Sequence, residues 1–137
     1  MSARPAVLRP LRRPGIWLAL WLLAVATVVA GSLLPPPPVP SPHPQSDKLV
    51  HVLGYFVLMA AAVQLFAHRA WLWGVGIGLA ALGLGLEWAQ GALTATRMFD
   101  WHDAIANTAG VVLGGLLART PAANWLQRLE PRLFRAR

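Results

Sequence analysis

The sequence predicts an all-α fold, a polytopic membrane protein built as a compact bundle of four transmembrane helices with an amphipathic C-terminal tail. Apolar residues make up 56% of the chain and charged residues only 12%, well below the roughly 25% charged residues of typical soluble domains. The sequence contains four apolar runs, each close to the roughly 20 residues that a helix needs to cross the hydrocarbon core. Since only helices and closed barrels satisfy every backbone polar group in lipid, runs of this length predict helices.

The four runs form one membrane domain at residues 16–118. Its predicted spans lie at about 16–34, 48–66, 70–93 and 101–118. The first span ends at four consecutive prolines, which cannot continue a helix and which begin a Pro-rich linker at 35–46. Within that linker, Ser46 is a candidate N-cap for the second span. His68 and Arg69 form a short break before the third span.

The placement of positive charge predicts the orientation of the chain. Basic residues are concentrated in the N-terminal segment 1–15 and in the C-terminal tail 119–137. Arg69 falls on the same side as both termini, so ten of the 12 Lys and Arg residues share one side, with Lys48 and Arg97 on the other. The positive-inside rule then places both termini in the cytoplasm and the linker outside.

The same distribution argues against nucleic acid as a partner. The net charge is +7, but nucleic-acid binders carry their basic residues on one face of a folded domain. In this chain the charge flanks apolar spans instead. The tail from Asn124 onward mixes apolar and Arg residues, as expected of a helix that lies on an anionic inner leaflet. The predicted partner is therefore the lipid bilayer.

A second interpretation of the N-terminus remains open. Basic residues, an apolar run and Val28-Val29-Ala30 also resemble a secretory signal peptide with its cleavage site. The run at 16–34 is long for a signal core, which favours a retained span. Cleavage would leave the other three spans in the same orientation. The chain has no cysteine, which excludes disulfides and thiolate metal ligands.

Polar residues within the spans are the most informative feature of the sequence. A charge inside a span costs roughly 2.5–3.5 kcal/mol on insertion scales, and it usually faces the bundle interior or a cavity. Residues three or four apart share one face of a helix, so the spacing predicts one polar stripe on each of three spans. The stripes are Asp47, His51 and Tyr55 on the second span, Glu87 and Gln90 on the third, and Asp103 and Asn107 on the fourth.

All three stripes are expected at the same depth. The second and fourth spans begin outside and the third ends outside, and each carries its polar stripe at that end. Lys48 lies beside the first stripe, and Arg97 and Asp100 lie in the loop before the fourth span. We therefore expect a polar pocket that opens to the outer face.

The ordered set of these residues resembles the VanZ-like family of bacterial membrane proteins over about residues 16–118. The matching pattern is Asp47-Lys48-x-x-His51-x-x-x-Tyr55, Glu87-x-x-Gln90, and Arg97 with Asp100-x-x-Asp103-x-x-x-Asn107-x-x-Gly110. The resemblance implies a four-helix protein of the bacterial inner membrane. The family is named for a protein that lowers susceptibility to teicoplanin, a glycopeptide that binds peptidoglycan precursors. The resemblance does not imply an established biochemical activity. The poly-proline linker and the Arg-rich tail of this chain depart from the family pattern.

Each candidate site residue has a functional and a structural interpretation. Glu87, Asp103 and His51 are candidate catalytic residues for acid–base chemistry, or they form a hydrogen-bonded network that ties the helices together. Lys48 and Arg97 could bind a phosphate or carboxylate of a ligand, or they could neutralise the nearby carboxylates. The remaining candidate binding residues are Asp47, Tyr55, Gln90, Asp100 and Asn107.

Part of this set also offers candidate metal ligands. His51, Glu87 and Asp103 offer imidazole and oxygen donors that suit a divalent cation. No local spacing of the HExxH kind supports such a site, so neither a metal nor another cofactor is predicted.

Two classes of function follow from the sequence. In the first, the outer pocket binds or processes a lipid-linked or peptidoglycan-related envelope molecule, with an effect on glycopeptide susceptibility. In the second, the protein is a membrane scaffold or partner-binding protein, and its polar residues are structural. A transporter is disfavoured, since four helices leave little room for a gated path and no inverted repeat is evident.

Overall fold

The computed structural model describes residues 6–35, 44–95 and 97–134, and for 44–46 it describes the backbone alone. The described residues form five α-helices and two short 3-10 turns. The helices are α1 (Pro14–Leu33), α2 (Pro44–Leu65), α3 (Arg69–Leu93), α4 (Trp101–Leu116) and α5 (Trp125–Leu133), with the 3-10 turns at Leu117–Arg119 and Pro121–Asn124. The all-helical prediction is confirmed for this part of the chain. Most of the predicted linker, residues 36–43, lies outside it.

Three of the helices are long and apolar enough to cross a membrane. They are α1 over its full length, α2 from Asp47 onward, and α3 over its full length. Helix α4 has 16 residues, and it is shorter than the predicted fourth span because the chain tightens into a 3-10 turn after Leu116. Helix α2 begins at Pro44, where a proline is well tolerated because the first turn has no backbone N–H partner to lose. Ser46 therefore lies inside the helix and is not its N-cap, contrary to the sequence prediction.

The first four helices run alternately up and down. At one end, Arg9 N donates to Leu65 O at 2.7 Å and Ala67 N donates to Val7 O at 2.9 Å, joining the N-terminal segment to the end of α2. The 3-10 turns after α4 reach the same end, where Gln64 Nε2 donates to Ala122 O at 2.9 Å. We call this the terminal end. Helices α2 and α4 begin at the opposite end, which we call the polar end.

The centre of the bundle is the contact between α2 and α4. Gly110 and Gly114 face α2 so closely that a Cβ on Gly110 would lie 2.3 Å from Val52 O, and one on Gly114 would lie 2.6 Å from Phe56 O. The two backbones can approach this far only because neither glycine has a side chain. This contact sets the relative position of α2 and α4, and hence of the polar residues that they carry.

Helix α1 lies at the edge of the bundle, and none of its residues is fully buried. Leu20, Leu22 and Leu23 are each at least half exposed, which suits a surface that faces lipid. The helix is held to α2 by the Trp21 indole, whose Nε1 donates to Leu58 O at 2.9 Å. The Trp21 ring also packs edge-on against Phe66, with ring centroids 5.8 Å apart.

The C-terminal helix α5 is anchored to the start of α1 by one buried carboxylate. Glu130 accepts hydrogen bonds from Arg12 N at 2.6 Å, Arg13 N at 2.8 Å and Trp17 Nε1 at 2.9 Å. Arg12 and Arg13 directly precede Pro14, the first residue of α1, and a negative charge is favourable at the N-terminus of a helix. The tail predicted to lie on the membrane surface is therefore packed, through Glu130, against the bundle.

Candidate functional site

The polar cluster is organised around Lys48, one turn into α2. Its ammonium donates to Asp100, which precedes α4, and to Asp103 in the first turn of α4. Asp100 also caps α4, since its Oδ1 accepts from His102 N at 2.8 Å. The Lys48 ammonium and this N–H hold the pKa of Asp100 well below its usual range, at about 2. Lys48 therefore acts as a bridge between α2 and α4.

His51 lies one turn further along α2 and faces three acidic side chains. Its Nε2 is 3.5 Å from Asp103 Oδ2 and 3.9 Å from Asp47 Oδ1, and its Nδ1 is 3.9 Å from Glu87 Oε1. Its one close hydrogen bond is between Nδ1 and Asn107 Oδ1, at 3.0 Å. The imidazole thus lies at the centre of the cluster, where α2, α3 and α4 meet.

Glu87 and Tyr55 are deeply buried polar residues that face this site. Glu87 is 1% exposed and Tyr55 is 3% exposed. Tyr55 Cζ and the Asn107 side chain both lie against Gly83, one turn before Glu87 on α3. Among the described residues, Tyr55 Oη and Glu87 Oε2 have no hydrogen-bond partner. Buried polar atoms without a partner are rare in native proteins and call for a specific explanation, such as a functional role or a bound molecule.

Two predicted binding residues, Gln90 and Arg97, contact the end of α1. Gln90 Nε2 donates to Ser32 O at 2.9 Å. The Arg97 guanidinium donates to Leu34 O at 3.3 Å and to Gly31 O at 3.4 Å. The last carbonyls of a helix have no partner within the helix, so both side chains serve the end of α1. In the structure the Arg97 guanidinium contacts these carbonyls. It does not extend to the carboxylates of the cluster, which the sequence had suggested as one of its two possible partners.

The structure therefore brings together eight of the ten predicted site residues and separates two. The cluster consists of Asp47, Lys48, His51, Tyr55, Glu87, Asp100, Asp103 and Asn107. Gln90 and Arg97 lie beside it at the end of α1. Glu130, at the terminal end, anchors α5 to the start of α1, and the sequence did not predict this role. Its only signal in the sequence is that it is the single acidic residue in a basic tail.

One subset of the cluster has the arrangement of a metal site. Asp47, His51 and Asp103 each offer one ligand atom, and these atoms all lie within 4.8 Å of one another. Asp47 replaces Glu87 in the set that the sequence suggested, because His51 Nε2 faces Asp47 while Glu87 lies on the Nδ1 side.

The cluster lies apart from the two grooves that the structure describes on the bundle surface. One groove, of about 330 Å³, is lined mainly by apolar residues of α3 and α4, and the other lies between α1 and α2. No residue of the cluster lines either groove. The site is instead a compact group of side chains that reaches solvent through Asp47, whose side chain is 59% exposed.

These features define the class of the protein: an all-helical chain, three of whose described helices are long and apolar enough to cross a membrane, with an acidic polar cluster at one end. Comparison with family models, curated proteins and solved structures found no match for the chain. The resemblance to the VanZ-like family therefore remains a prediction that rests on the residues quoted for it.

Proposed function

We propose that the chain is a four-span protein of the bacterial cytoplasmic membrane. Both of its termini are cytoplasmic, and its polar cluster, near the outer surface, binds or processes a molecule of the cell envelope. Lipid-linked or peptidoglycan-related molecules are the proposed ligand class. This class follows from the outer position of the cluster together with the VanZ-like pattern of its residues.

The length and position of α4 support a fourth span. Its 16 residues measure about 24 Å, and the 3-10 turn at Leu117–Arg119 adds about 6 Å. The total matches a hydrocarbon core of about 30 Å. Its first turn is level with Lys48 near the start of α2, and the turns that follow it are level with Gln64 at the end of α2. Helix α4 therefore covers the same depth as a helix that is long enough to span.

The distribution of charge supports the orientation. The terminal end carries Arg9, Arg12 and Arg13 together with the Arg residues of α5, and α3 begins there at Arg69. The polar end carries Lys48 and Arg97 and four of the five acidic residues of the chain. The positive-inside rule then assigns the terminal end to the cytoplasm.

The burial of unpartnered polar atoms beside His51 is the observation that carries the proposal of a functional site. A network kept only for stability would be expected to satisfy its members, since an unsatisfied buried polar group costs about 1–3 kcal/mol. Glu87 Oε2 and Tyr55 Oη lack partners within the described residues. A catalytic role or a bound molecule is a common explanation for unpartnered buried atoms of this kind.

The chemistry proposed for the site is acid–base or hydrogen-bonding chemistry. His51 and Asp103 are close enough to act as a pair, with Glu87 on the other side of the imidazole. Lys48 is already shared by two carboxylates, and Arg97 is bonded to backbone carbonyls. Hydroxyl and amide groups, such as those of a sugar or a peptide, are therefore better matched to the protein side chains than a bare anion.

Thermal unfolding of the detergent-purified protein tests whether the site is functional or structural. We expect Glu87→Gln and His51→Asn to leave the unfolding midpoint unchanged or to raise it, because functional sites are kept at a cost to stability. Lys48→Met is the matched structural control, and it should lower the midpoint by several degrees, since it leaves Asp100 and Asp103 without their shared cation. A drop in the Glu87→Gln midpoint as large as that of Lys48→Met would contradict the proposal.

Glycopeptide susceptibility tests the envelope part of the proposal. A Gram-positive host that expresses the wild-type chain should tolerate a higher teicoplanin concentration than the same host with an empty vector. Glu87→Gln and His51→Asn should lose this effect at equal levels of the protein in the membrane. Equal tolerance in the wild-type and empty-vector strains would remove the support that the VanZ-like resemblance gives.

A membrane scaffold is the second candidate function, and the bonds of Lys48 favour it. Lys48 joins α2 to the start of α4 through Asp100 and Asp103, and Gln90 and Arg97 hold the end of α1. A scaffold would retain its activity in Glu87→Gln, provided that the variant folds.

A further inference from the structure

The orientation of His51 presents one ring nitrogen to two acidic side chains. Its Nε2 lies 3.5 Å from Asp103 Oδ2 and 3.9 Å from Asp47 Oδ1. Neither separation is a hydrogen bond, since donor and acceptor atoms in N–H···O bonds lie about 2.7–3.2 Å apart. Three electron-rich atoms that converge without close contact leave a space that suits a positive charge.

The hydrogen bond at the other ring nitrogen, Nδ1, determines which nitrogen of His51 carries the proton. His51 Nδ1 lies 3.0 Å from Asn107 Oδ1, a carbonyl oxygen that can only accept a hydrogen bond. The proton of a neutral imidazole is thereby held on Nδ1, and the lone pair of Nε2 points toward the two carboxylates. A metal-binding His typically donates the N–H of its non-ligating ring nitrogen to an oxygen in this way, which fixes both the tautomer and the ring orientation.

The spacing of the three ligand atoms fits a first-row divalent cation. A tetrahedral site with metal–ligand distances of about 2.0–2.1 Å has its ligand atoms about 3.3 Å apart. The separations from Nε2, 3.5 and 3.9 Å, exceed this value by about 0.2 and 0.6 Å, and the three ligand atoms all lie within 4.8 Å of one another. The Asp47 side chain is largely exposed, so a small rotation would bring its carboxylate to the distance from Nε2 that a bound cation requires.

The two carboxylate oxygens of Asp103 have different neighbours, and one of them is free to bind a cation. Its Oδ1 accepts from Lys48, while its Oδ2 is the oxygen that faces His51. The Lys48 bond orients the carboxylate, as hydrogen bonds to ligating carboxylates do in metal sites. Lys48 and the cation would thus use different oxygens.

Glu87 supplies an independent observation that points to a ligand in this cluster. It is 1% exposed, its Oε1 faces the His51 ring at 3.9 Å, and its Oε2 has no hydrogen-bond partner among the described residues. A buried carboxylate with an unpartnered oxygen is costly unless a positive charge lies nearby. A cation on His51 Nε2 would lie across the imidazole ring from Glu87, which faces Nδ1, and its charge would lower that cost.

We propose that Asp47, His51 and Asp103 bind one divalent transition-metal cation, with zinc and manganese as the best matches to one imidazole and two carboxylates. The inference deepens the proposed function and rests on it for the role of the metal. Three protein ligands leave at least one coordination position open. An oxygen of the envelope ligand would bind at that position. The cation would supply the positive charge that Lys48 and Arg97 do not offer.

Cation binding by the purified protein tests the proposal directly. The protein is stripped with a chelator in detergent and titrated calorimetrically with Zn²⁺ and, separately, with Mn²⁺. We expect one site per chain for at least one of the two ions. Asp47→Asn and His51→Asn should each weaken binding by about tenfold or more, since even a residue behind a ligand typically contributes 10–100-fold. Asp47→Asn is the cleaner variant, because the Asp47 side chain is exposed and not packed in the bundle.

His102→Asn is the matched control for adventitious binding. His102 lies at the same end of the bundle, its side chain is 80% exposed, and its Nδ1 is 3.1 Å from Asp100 Oδ1. It should leave the affinity unchanged. The proposal is overturned if the stripped protein binds neither ion, if His51→Asn binds as tightly as the wild type, or if His102→Asn weakens binding as much as His51→Asn does.

The metal proposal and the proposed function can fail separately. Calorimetric binding needs no envelope ligand, so a bound cation in a protein without effect on teicoplanin tolerance would leave the metal site standing and contradict the proposed function. Teicoplanin tolerance that depends on Glu87 and His51 but not on Asp47, in a protein that binds no cation, would support the function and contradict the metal site.

Discussion

Glu130 shows how a single residue can connect both ends of the chain. It lies in a basic tail, yet it is 2% exposed and accepts three hydrogen bonds from the start of α1. None of these donors is a Lys or Arg side chain. The carboxylate is stabilised by the N–H groups of Arg12 and Arg13, just before α1, and by the Trp17 indole, and so it fastens α5 to the start of α1.

Removing this carboxylate should therefore be costly. In Glu130→Ala the N–H groups of Arg12 and Arg13 and the Trp17 indole lose their acceptor. We expect a loss of about 3 kcal/mol in the free energy of unfolding, since hydrogen bonds to charged groups contribute about 1.5–3 kcal/mol and buried donors are left unsatisfied. Chemical denaturation in detergent measures it. Gln127→Ala is the control, and a loss of equal size there would contradict the role given to Glu130.

The same residue predicts a dependence of stability on pH. Burial disfavours the Glu130 carboxylate, but the hydrogen bonds from Arg12 and Arg13 outweigh burial and hold the pKa of Glu130 below its ordinary value of 4.5. A lowered pKa in the folded state gives stability that is present above the ordinary glutamate pKa. That stability is lost as the pH falls through the lowered value.

We therefore expect the unfolding midpoint of the wild type to fall between pH 5 and pH 3 by more than that of Glu130→Gln. The glutamine cannot be protonated, so its variant lacks this part of the pH dependence. Thermal unfolding at the two pH values measures the difference. Equal decreases in the two proteins would show that Glu130 does not contribute to the acid sensitivity.

At the scale of the helices, the contact between α2 and α4 determines the geometry of the site. Gly110 and Gly114, four residues apart on α4, both lie against the backbone of α2. Because Lys48 and His51 are on α2 while Asp103 and Asn107 are on α4, their separation depends on how closely these helices approach. The packing surface and the site are parts of one interface.

A methyl group at Gly110 should disrupt this interface. Its Cβ would lie 2.3 Å from Val52 O and 2.9 Å from Phe56 N, which are backbone atoms that cannot rotate away. We expect Gly110→Ala to lower the free energy of unfolding by about 3 kcal/mol, at the upper end of the range for overpacking. Gly78→Ala on α3 is the control, because a Cβ there meets nothing within 4 Å, and it should be neutral or slightly stabilising. Similar losses in the two variants would contradict this assignment.

Helix α1 illustrates a different kind of attachment. It buries no residue completely, and its most specific bonds lie near its ends and at Trp21. Glu130 accepts from the N–H groups of Arg12 and Arg13 just before α1, while Gln90 and Arg97 satisfy carbonyls in its last turn and just beyond it. The last carbonyls of a helix need such partners, because they have none within the helix. Cleavage after Ala30 in the signal-peptide interpretation would remove most of this helix together with all three donors to Glu130, and it would leave the carbonyls that Gln90 and Arg97 contact.

At the scale of the whole molecule, the terminal end and the polar end differ in charge. The Arg-rich segments meet at the terminal end, and the acidic residues other than Glu130 gather at the polar end. This asymmetry, in an up-and-down arrangement of helices, is what orients the proposed four-span bundle in the membrane.

The orientation can be tested with single cysteines, because the chain contains none of its own. Met98, between α3 and α4, is 86% exposed, and Arg128 on α5 is also exposed. In intact spheroplasts a membrane-impermeant maleimide should label Met98→Cys and leave Arg128→Cys unlabelled until the membrane is permeabilised. Labelling of Arg128→Cys but not of Met98→Cys in intact spheroplasts would reverse the proposed orientation. Labelling of both would contradict an even number of spans.

The sequence by itself determined the features that depend on local pattern. Apolar run length predicted α1, α2 and α3 to within a few residues at most boundaries, and spacing of three or four residues placed Asp47, His51 and Tyr55 on one helix face. These features follow from the composition and period of a single segment, so they need no knowledge of its neighbours. The start of α2 was the exception, because the helix extends back to Pro44.

The tertiary structure decided which partner each polar side chain has. Lys48 bonds to residues more than 50 positions away, and Glu130 to residues more than 110 positions away. Arg97 contacts the carbonyls of α1, although its position in the sequence suggested the carboxylates. A buried polar group takes whichever complementary group the packing brings within about 3 Å. That choice depends on how closely helices such as α2 and α4 approach one another, which the pattern within one helix does not contain.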